Sequence, residues 1–293
     1  MSAARIAGRL LVTGLGVVLA RSALRAVDRS SRGTRLRRTN FRGRPVTLAA
    51  GPALAAGGAV AAAVGAPSPA AAGAALVTGL GCGAVGLYDD VVGARPEQKA
   101  DKGFAGHLRA LSEGRISSGL VKIAGVGLSG VAAAALLAAD PWVRSHPARG
   151  RGGLVTRGVD VLLGAGVVAG TANLVNLLDL RPGRAAKSGL LIGGPLVGGP
   201  VGGLVAGPLG ATAALLPDDL DERVMLGDSG ANALGGLLGV ALAARTGPAG
   251  RAVILAVLVG LTAASEKVSF TRVIGATPGL RELDEFGRRP SDT

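Results

Sequence analysis

Long apolar runs separated by short charged loops organise the chain. About 20 apolar residues span the hydrocarbon core of a bilayer, and only helices or closed barrels satisfy their backbone hydrogen bonds there. Strands of a membrane barrel would alternate apolar and polar residues, whereas these runs are apolar throughout. We therefore predict membrane-spanning helices. The runs cover residues 46–65, 70–88, 116–139, 158–178, 188–216, 231–244 and 252–265.

An N-terminal helix and the division of the run 188–216 into two complete the predicted set of helices. A shorter apolar run near the N-terminus is flanked by arginines and predicts a first helix over roughly 6–27. The run 188–216 is interrupted by Pro195, Pro200 and Pro208, which predicts two short, kinked helices or a partly re-entrant hairpin. The fold class is therefore all-α: a polytopic integral membrane bundle of about nine transmembrane helices.

The distribution of basic residues predicts the orientation of this bundle. With nine crossings, the loops 28–45, 91–115 and 180–187 share one side with the C-terminal tail, and they carry most of the 32 basic residues. The positive-inside rule makes this side cytoplasmic, with the N-terminus outside. We expect one membrane domain over 1–270 and a polar cytoplasmic tail over 271–293, in a plasma membrane.

Composition and the position of the charges indicate that the partner is membrane lipid. The 50 glycines and the many alanines fit membrane helices that pack closely through small residues. A disordered Gly/Ala-rich chain would mix its charges through the sequence, whereas here they fall between apolar blocks. The net charge of +13 would suit nucleic acid, but its position beside apolar spans indicates contact with anionic membrane lipid and no nucleic-acid partner. The single Cys82 can form no internal disulfide.

Three clusters of acidic and amide residues each lie at the end of an apolar run. Carboxylates are costly in hydrocarbon and rarely lie there without a partner or a task. If the clusters share one membrane face, they form a site for a divalent cation and a phosphorylated substrate. The residues are Asp89 and Asp90; Asn173, Asn176 and Asp179; and Asp228 within Gly227–Gly230.

The residue types indicate what such a site would bind. Side chains at adjacent helical positions point about 100° apart, so one carboxylate of Asp89 and Asp90 can hold a metal while the other acts as a base. Oxygen ligands suit Mg²⁺, with Mn²⁺ as the other candidate, rather than zinc. His107 and His146 fall on opposite faces in the predicted topology, which argues against a histidine metal site.

Each cluster also has a structural interpretation. Paired aspartates at a helix end often cap the helix or are solvated, and asparagines on a membrane helix often bond to neighbouring helices. A Gly-Asp-Ser-Gly segment is often only a turn. The basic residues of the loops, Lys99 among them, fit simple positive-inside orientation. The order of the three clusters and their common face favour the functional interpretation.

These clusters resemble the motifs of the integral-membrane polyprenyl-phosphate N-acetylhexosamine-1-phosphate transferases, which include the phospho-N-acetylmuramoyl-pentapeptide transferase of peptidoglycan synthesis. The resemblance covers about residues 40–270. The motif D-D-x-x-G-x-x-P-x-x-K is matched in full, N-x-x-N-x-x-D-G-x-D-G in four positions, and M-G-D-S-G in all but its Met. The matching residues are Asp89, Asp90, Gly93, Pro96 and Lys99; Asn173, Asn176, Asp179 and Gly183; and Gly227, Asp228, Ser229 and Gly230.

The resemblance implies an enzyme of cell-envelope polymer synthesis. Such an enzyme transfers a sugar-1-phosphate from a UDP-N-acetylhexosamine, or from UDP-MurNAc-peptide, to polyprenyl phosphate with Mg²⁺ and releases UMP. It also implies an active site at the cytoplasmic face and a possible homodimer. By position, Asp89 and Asp90 are the catalytic candidates and Asp228 and Asp90 the metal ligands. The substrate-binding candidates are Lys99, Asn173, Asn176 and Asp179.

The chain departs from the family pattern in two places. Leu180 and Pro182 replace a glycine and a second aspartate of the middle motif, and no histidine follows His146, although the family has a His-rich loop after its ninth helix. A catalytically reduced member that binds polyprenyl phosphate or scaffolds envelope assembly is therefore one alternative. A transporter is another, disfavoured because the acids lie at the ends of spans and not midway.

Overall fold

The computed structural model describes residues 2–30, 33–95, 106, 109–110, 112–144 and 154–290. About 78% of the protein is helical, and one small antiparallel hairpin pairs β1 (Arg37–Thr39) with β2 (Pro45–Thr47) after a 3₁₀ turn at Gly33–Leu36. In chain order the helices are α1 (Ala3–Arg29), α2 (Ala50–Val64), α3 (Pro69–Val92), α4 (Ser118–Ala139), α5 (Pro141–Arg144), α6 (Leu154–Leu178), α7 (Arg184–Val197), α8 (Gly202–Leu220), α9 (Gly227–Arg245), α10 (Pro248–Ser265), α11 (Phe270–Ala276) and α12 (Leu280–Glu285).

Five of these helices are long and apolar enough to cross a membrane. They are α1, α3, α4, α10 and the part of α6 from Arg157 onward. The prediction of an all-α bundle with membrane-spanning helices is confirmed at this level. The number of nine crossings and their orientation stay predictions.

The interrupted run 188–216 forms two helices, as its prolines predict. The first, α7, ends at Val197, and the second, α8, begins at Gly202, with Pro200 in the turn between them. Pro195 lies inside α7, and Pro208 and Pro217 lie inside α8. Proline lacks the backbone donor that continues a helix, so both helices are short or irregular.

The centre of the bundle is α9, which is buried from Ser229 to Ala241. Its glycines allow neighbouring backbones to approach closely: a Cβ on Gly235 would lie 2.4 Å from the carbonyl oxygen of Thr171 on α6. Close approach through small residues replaces the hydrophobic effect as the packing force between helices in a membrane. The position of α9 fixes where its first residues, including Asp228, meet α2, α3 and α4.

A buried ion pair joins three helices at the other end of α9. The fully buried Arg251 of α10 donates from Nη1 to the Asp160 carboxylate of α6 at 2.6 Å and from Nε to the Ala243 carbonyl of α9 at 3.0 Å. A buried guanidinium needs this full set of partners because unpaired charge is costly in a low dielectric. The pair therefore has a structural explanation.

The predicted polar tail folds back onto the bundle. Arg184, at the start of α7, donates from Nε and Nη2 to the two carboxylate oxygens of Asp284 on α12, at 2.8 and 2.9 Å. Lys187 donates to the backbone carbonyls of Leu283, Asp284 and Phe286. A carboxylate held by a guanidinium fork is a strong and directional contact, so the tail up to residue 290 is part of the folded molecule.

Candidate functional site

The acidic site is built where α3 crosses the start of α9. At the crossing, a Cβ on Gly86 would lie 2.3 Å from the carbonyl oxygen of Asp228 and 2.7 Å from the Cα of Ser229. Only glycine permits this approach, because real Cβ contacts are not that short. Gly86 therefore brings Asp89 and Asp90, one turn further along α3, to the first turn of α9.

Asp90 caps α9 from outside. Its Oδ1 accepts a hydrogen bond from the amide of Asp228 and its Oδ2 one from the amide of Ser229, both at 3.0 Å. The first amides of a helix have no partner within the helix and carry partial positive charge, so a carboxylate there is stabilising. Gly227, at a left-handed φ of 59°, lets the chain turn into the helix beside this carboxylate.

Lys122 of α4 lies between two other carboxylates. Its Nζ is 2.7 Å from Oδ2 of Asp89 and 2.6 Å from Oδ2 of Asp228. The side chains of the three residues are 14 to 27% exposed, so the charges face each other with little solvent screening. A single positive charge is thus held in contact with two negative ones at the mouth of the bundle.

Asp179 lies in the loop after α6, next to the same group of acids. Burial raises the pKa of its carboxyl group, as do the neighbouring carboxylates of Asp219, Asp228 and Asp90, while the amide of Gly227 opposes them. Carboxylates that interact in this way and have strongly raised pKa values are typical of functional sites. The three predicted clusters therefore meet at one end of the bundle through Asp90, Asp228 and Asp179.

The two asparagines of α6 differ in their surroundings. The amide nitrogen of Asn173 donates to Oγ1 of Thr262 on α10 at 3.0 Å. This contact between helices is the purely structural role that an asparagine on a membrane helix often has. The side-chain oxygen of Asn176 is buried and has no hydrogen-bond partner among the described residues. An unsatisfied buried acceptor is unfavourable. The Asn176 oxygen is thus an acceptor without a partner among the described residues, whereas Asn173 is engaged between helices.

An apolar groove runs beside Asn173 between α6 and α10. It has a volume of about 600 Å³, and Gly166 and Gly170 form its floor without side chains. Polar groups occur only toward its end, at Asn173, Thr262 and Glu266. The groove is open along one side, and Asn173 at its end lies within two turns of Asp179, which directly follows the same helix.

The basic hairpin closes the site from the side. Arg38 of β1 donates to the backbone carbonyl of Asp90, and the amide of Met225, just before α9, donates to the Thr47 carbonyl of β2 at 2.9 Å. Asn40 and Glu222 join the two segments by a hydrogen bond of 2.6 Å. The segment before Asp228 is thereby fixed from both ends.

Two predicted contributors are not part of this description. Lys99 and Pro96 of the first motif lie outside the described residues. In the C-terminal segment, Arg281 pairs with its neighbour Glu282 at 3.1 Å on the exposed surface. The cations in contact with the acidic residues of the site are Lys122 and Arg38, whereas Arg184 and Arg288 hold the tail through Asp284.

Two carboxylates of the site fit a divalent cation that is shared with a substrate. Within the described ranges, no three His, Cys, Asp or Glu side chains are arranged to enclose a metal ion. Mg²⁺ is commonly held by one or two carboxylates together with substrate phosphates, and Asp89 and Asp228, which share a cation at contact distance, meet that requirement. Asp90 fits less well than predicted, because each of its oxygens already accepts a backbone amide.

Sequence reasoning missed two polar residues of the site. Lys122 lies in a run that is otherwise free of charge, and an isolated lysine in an apolar segment is the feature that could have identified it. Asp219 is buried and accepts a hydrogen bond from the amide of Gly183 at 3.1 Å. It belongs to the Asp218-Asp219 pair at the end of α8, which the motifs do not include.

Comparison of the sequence with known proteins identifies no family. A scan against protein-family models and a search of curated protein sequences both found no match to this chain.

Proposed function

We propose that the protein transfers a sugar-1-phosphate from a UDP-N-acetylhexosamine or UDP-MurNAc-peptide to polyprenyl phosphate, with release of UMP, in envelope polymer synthesis. The observation that carries this proposal is Lys122 held between Asp89 and Asp228. A site that holds one cation between two carboxylates, beside a capped helix start, is suited to a diphosphate that arrives with its own divalent cation. The ordered motif residues support the choice of reaction.

Within this proposal, Asp89 and Asp228 are the carboxylates that would hold Mg²⁺. The bound ion would neutralise the diphosphate and orient in-line attack. Asp90 keeps the first turn of α9 in place through the amides of Asp228 and Ser229. It is therefore a positioning residue, and not the metal ligand that the motif alone implied.

Lys122 and Asp89 would act on the reacting groups. The Lys122 ammonium can turn from its carboxylates to a phosphate oxygen, since a lysine side chain is a flexible point charge. With Oδ2 of Asp89 on the ion, the second oxygen of this carboxylate would accept a proton from the attacking lipid phosphate. Most of the rate gain in such a transfer comes from positioning and electrostatic stabilisation.

The apolar groove between α6 and α10 is consistent with a lipid as the acceptor. Its lining by Gly166, Leu255 and Leu258 suits a prenyl chain. The chain would enter from the side, with its phosphate toward Asp179. The unpartnered oxygen of Asn176 would accept a hydrogen bond from the nucleotide or the sugar.

A catalytically reduced protein that binds polyprenyl phosphate is the second candidate. It is favoured by the same contact: Lys122 already neutralises the two carboxylates. In addition, Arg184 and Arg288 pair with Asp284 and are engaged in holding the tail. Such a protein would bind the lipid phosphate without turnover.

Exchange of radiolabelled UMP into UDP-sugar tests the proposal. Membranes that contain the protein, polyprenyl phosphate and Mg²⁺ are expected to catalyse exchange with one UDP-HexNAc. The Asp228→Asn variant should lose at least about a hundredfold in exchange rate, because it removes one of the two carboxylates that would hold Mg²⁺, and losing a group on which transition-state charge stabilisation depends costs about 3 kcal/mol.

Asp221→Asn is the matched control. Asp221 lies in the loop before α9, 58% exposed and paired with Arg223, so its variant should exchange at the wild-type rate. Absence of exchange with every UDP-HexNAc and with UDP-MurNAc-peptide, together with saturable binding of polyprenyl phosphate, would reject the enzyme and support the second candidate.

A further inference from the structure

A second polar pocket lies at the end of the bundle opposite the acidic site. It has a volume of about 430 Å³ and is bounded by the starts of α1 and α8, the end of α2 and the short helix α5. Since α1 has 27 residues and rises about 1.5 Å per residue, its two ends are about 40 Å apart. The residues that line the pocket and carry the argument are Arg5, Arg9, Trp142, Pro200 and Gly203.

The pocket concentrates positive charge. Arg5 and Arg9 are its charged lining residues, and no acidic residue lines it within the part of the chain that the structure describes. The first turns of α1 and α8 also contain no acid, and neither helix has a side-chain cap. Because a helix start carries partial positive charge, the two helix starts add to the positive potential of the two arginines, and the combination favours an anion here.

One of the two arginines is held in place. Nη2 of Arg9 donates to the Gly199 carbonyl at 2.7 Å, and a Cβ on Gly202 would come within 2.7 Å of its Cζ. The guanidinium is thus fixed against the turn that begins α8. Arg5, one turn earlier on α1, is exposed, so its guanidinium is accessible to a ligand in the pocket. A fixed cation beside an accessible one forms a prepared anion site.

The lining also indicates where in a membrane the pocket lies. Trp142 is the chain's one tryptophan, and tryptophan is enriched at the level of lipid headgroups. Apolar residues of the lining, such as Val12 and Val64, lie next to the arginines. A ligand with a charged phosphate and an apolar body fits this combination better than a free ion does.

We propose that this pocket binds the phosphate of an anionic lipid headgroup. The guanidinium groups of Arg5 and Arg9 contact the phosphate oxygens, and Trp142 and Val64 contact the first part of the acyl chains. The site is independent of the proposed transfer reaction and lies at the other face of the protein. It would anchor α1 and the α7–α8 turn to one class of lipid.

The single tryptophan allows a direct test. The full chain is placed in nanodiscs of phosphatidylcholine that contain increasing fractions of lipid brominated on its acyl chains, and quenching of Trp142 fluorescence is followed. Brominated phosphatidylglycerol should quench at about fivefold lower mole fraction than brominated phosphatidylcholine. Fivefold corresponds to one basic contact with an anionic headgroup.

Variants on the same helix separate a site from general attraction. Arg5→Gln should remove the preference for the anionic lipid, and Arg5→Lys should retain most of it. Arg25→Gln is the matched control, because Arg25 is exposed near the other end of α1 and its variant should behave as wild type.

Three results would overturn the proposal. The first is equal quenching by the two brominated lipids in the wild type. The second is an equal loss of preference in Arg5→Gln and Arg25→Gln, which would indicate surface charge without a site. The third is complete loss of the preference in millimolar inorganic phosphate, which would show that the pocket binds free phosphate instead of lipid.

Discussion

At the scale of single residues, Lys122 determines the charge balance of the acidic site. Its ammonium neutralises Asp89 and Asp228 at 2.7 and 2.6 Å, so these two carboxylates can lie close together in a weakly solvated place. Any divalent cation that binds them competes with this ammonium. The affinity for metal is therefore set by how readily the lysine moves away.

Replacing Lys122 by methionine should tighten divalent-cation binding. We expect Mn²⁺ to bind at least about tenfold more tightly, since tenfold needs only about 1.4 kcal/mol, less than the ~4 kcal/mol between unit charges 4 Å apart near a protein surface. Electron paramagnetic resonance of free and bound Mn²⁺ measures this without any turnover.

The matched control is Lys267→Met, at an exposed position beyond α10. An unchanged Mn²⁺ affinity in Lys122→Met would mean that the lysine and the metal use different places. The proposed role of Asp89 and Asp228 would then have to be abandoned.

The acids of the three predicted clusters were accessible to sequence reasoning, whereas their partners and the buried Asp219 were not. Asp89, Asp90, Asp179 and Asp228 stand out because carboxylates beside apolar runs are rare. The motif could not show that both oxygens of Asp90 accept amides of α9. That contact depends on how two distant helices cross, which no local pattern records.

At the scale of elements, the crossing of α3 and α9 determines the site. The two helices meet without any side chain between them, at Gly86 and the backbone of Asp228 and Ser229. A larger residue would separate the helices and move Asp90 away from the amides it accepts. The glycine thus determines the spacing of Asp89 and Asp90 from Asp228 without carrying a functional group itself.

Gly86→Ala should damage both stability and the site. Overpacking of a tight contact typically costs 1–3 kcal/mol, and we expect about 2 kcal/mol here, seen as a lower thermal unfolding temperature in detergent. Gly73→Ala on the same helix is the control, since its Cβ would meet only Cδ1 of Leu136 at an ordinary 3.5 Å. Equal unfolding temperatures for both variants would contradict a backbone contact at Gly86.

Helices were predictable as elements, and the hairpin was not. The apolar runs give the long helices their positions because a bilayer demands uninterrupted internal hydrogen bonding, whereas the short helices α11 and α12 of the tail were not predicted. The segment 28–45 was expected to be a loop, but it contains β1 and the turn to β2. Asn40 stabilises that turn by accepting from the amides of Arg42 and Arg44, and its contact to Glu222 comes from a segment about 180 residues away.

At the scale of the whole molecule, the tail is held by charge. Burial would raise the pKa of Asp284, but hydrogen bonds from Arg184 and Arg288 outweigh it and lower the pKa below its usual range. A carboxylate with a lowered pKa stabilises the docked state at neutral pH, and this contribution is lost as pH falls through the folded-state pKa. The tail should therefore be released by acid.

Hydrogen exchange of the amides in 270–290, corrected for intrinsic rates, measures this release. Protection should decrease below about pH 4 in the wild type and should already be low at pH 7 in Asp284→Asn. Glu285→Gln changes the exposed neighbouring residue on the same helix and should keep the wild-type profile. Full protection of Asp284→Asn at pH 7 would show that the ion pairs do not hold the tail.

The short helix α7 has a consequence for the surrounding lipid. Its 14 residues extend only about 21 Å, about 9 Å less than the hydrocarbon thickness of a typical bilayer, and Leu191 on it is 58% exposed. A helix too short for the bilayer is accommodated by local thinning of the membrane. If α7 is one of the nine crossings that the sequence predicts, the two lipid surfaces would approach each other on this side of the protein, and a membrane of different thickness would act on α7 as a mechanical load.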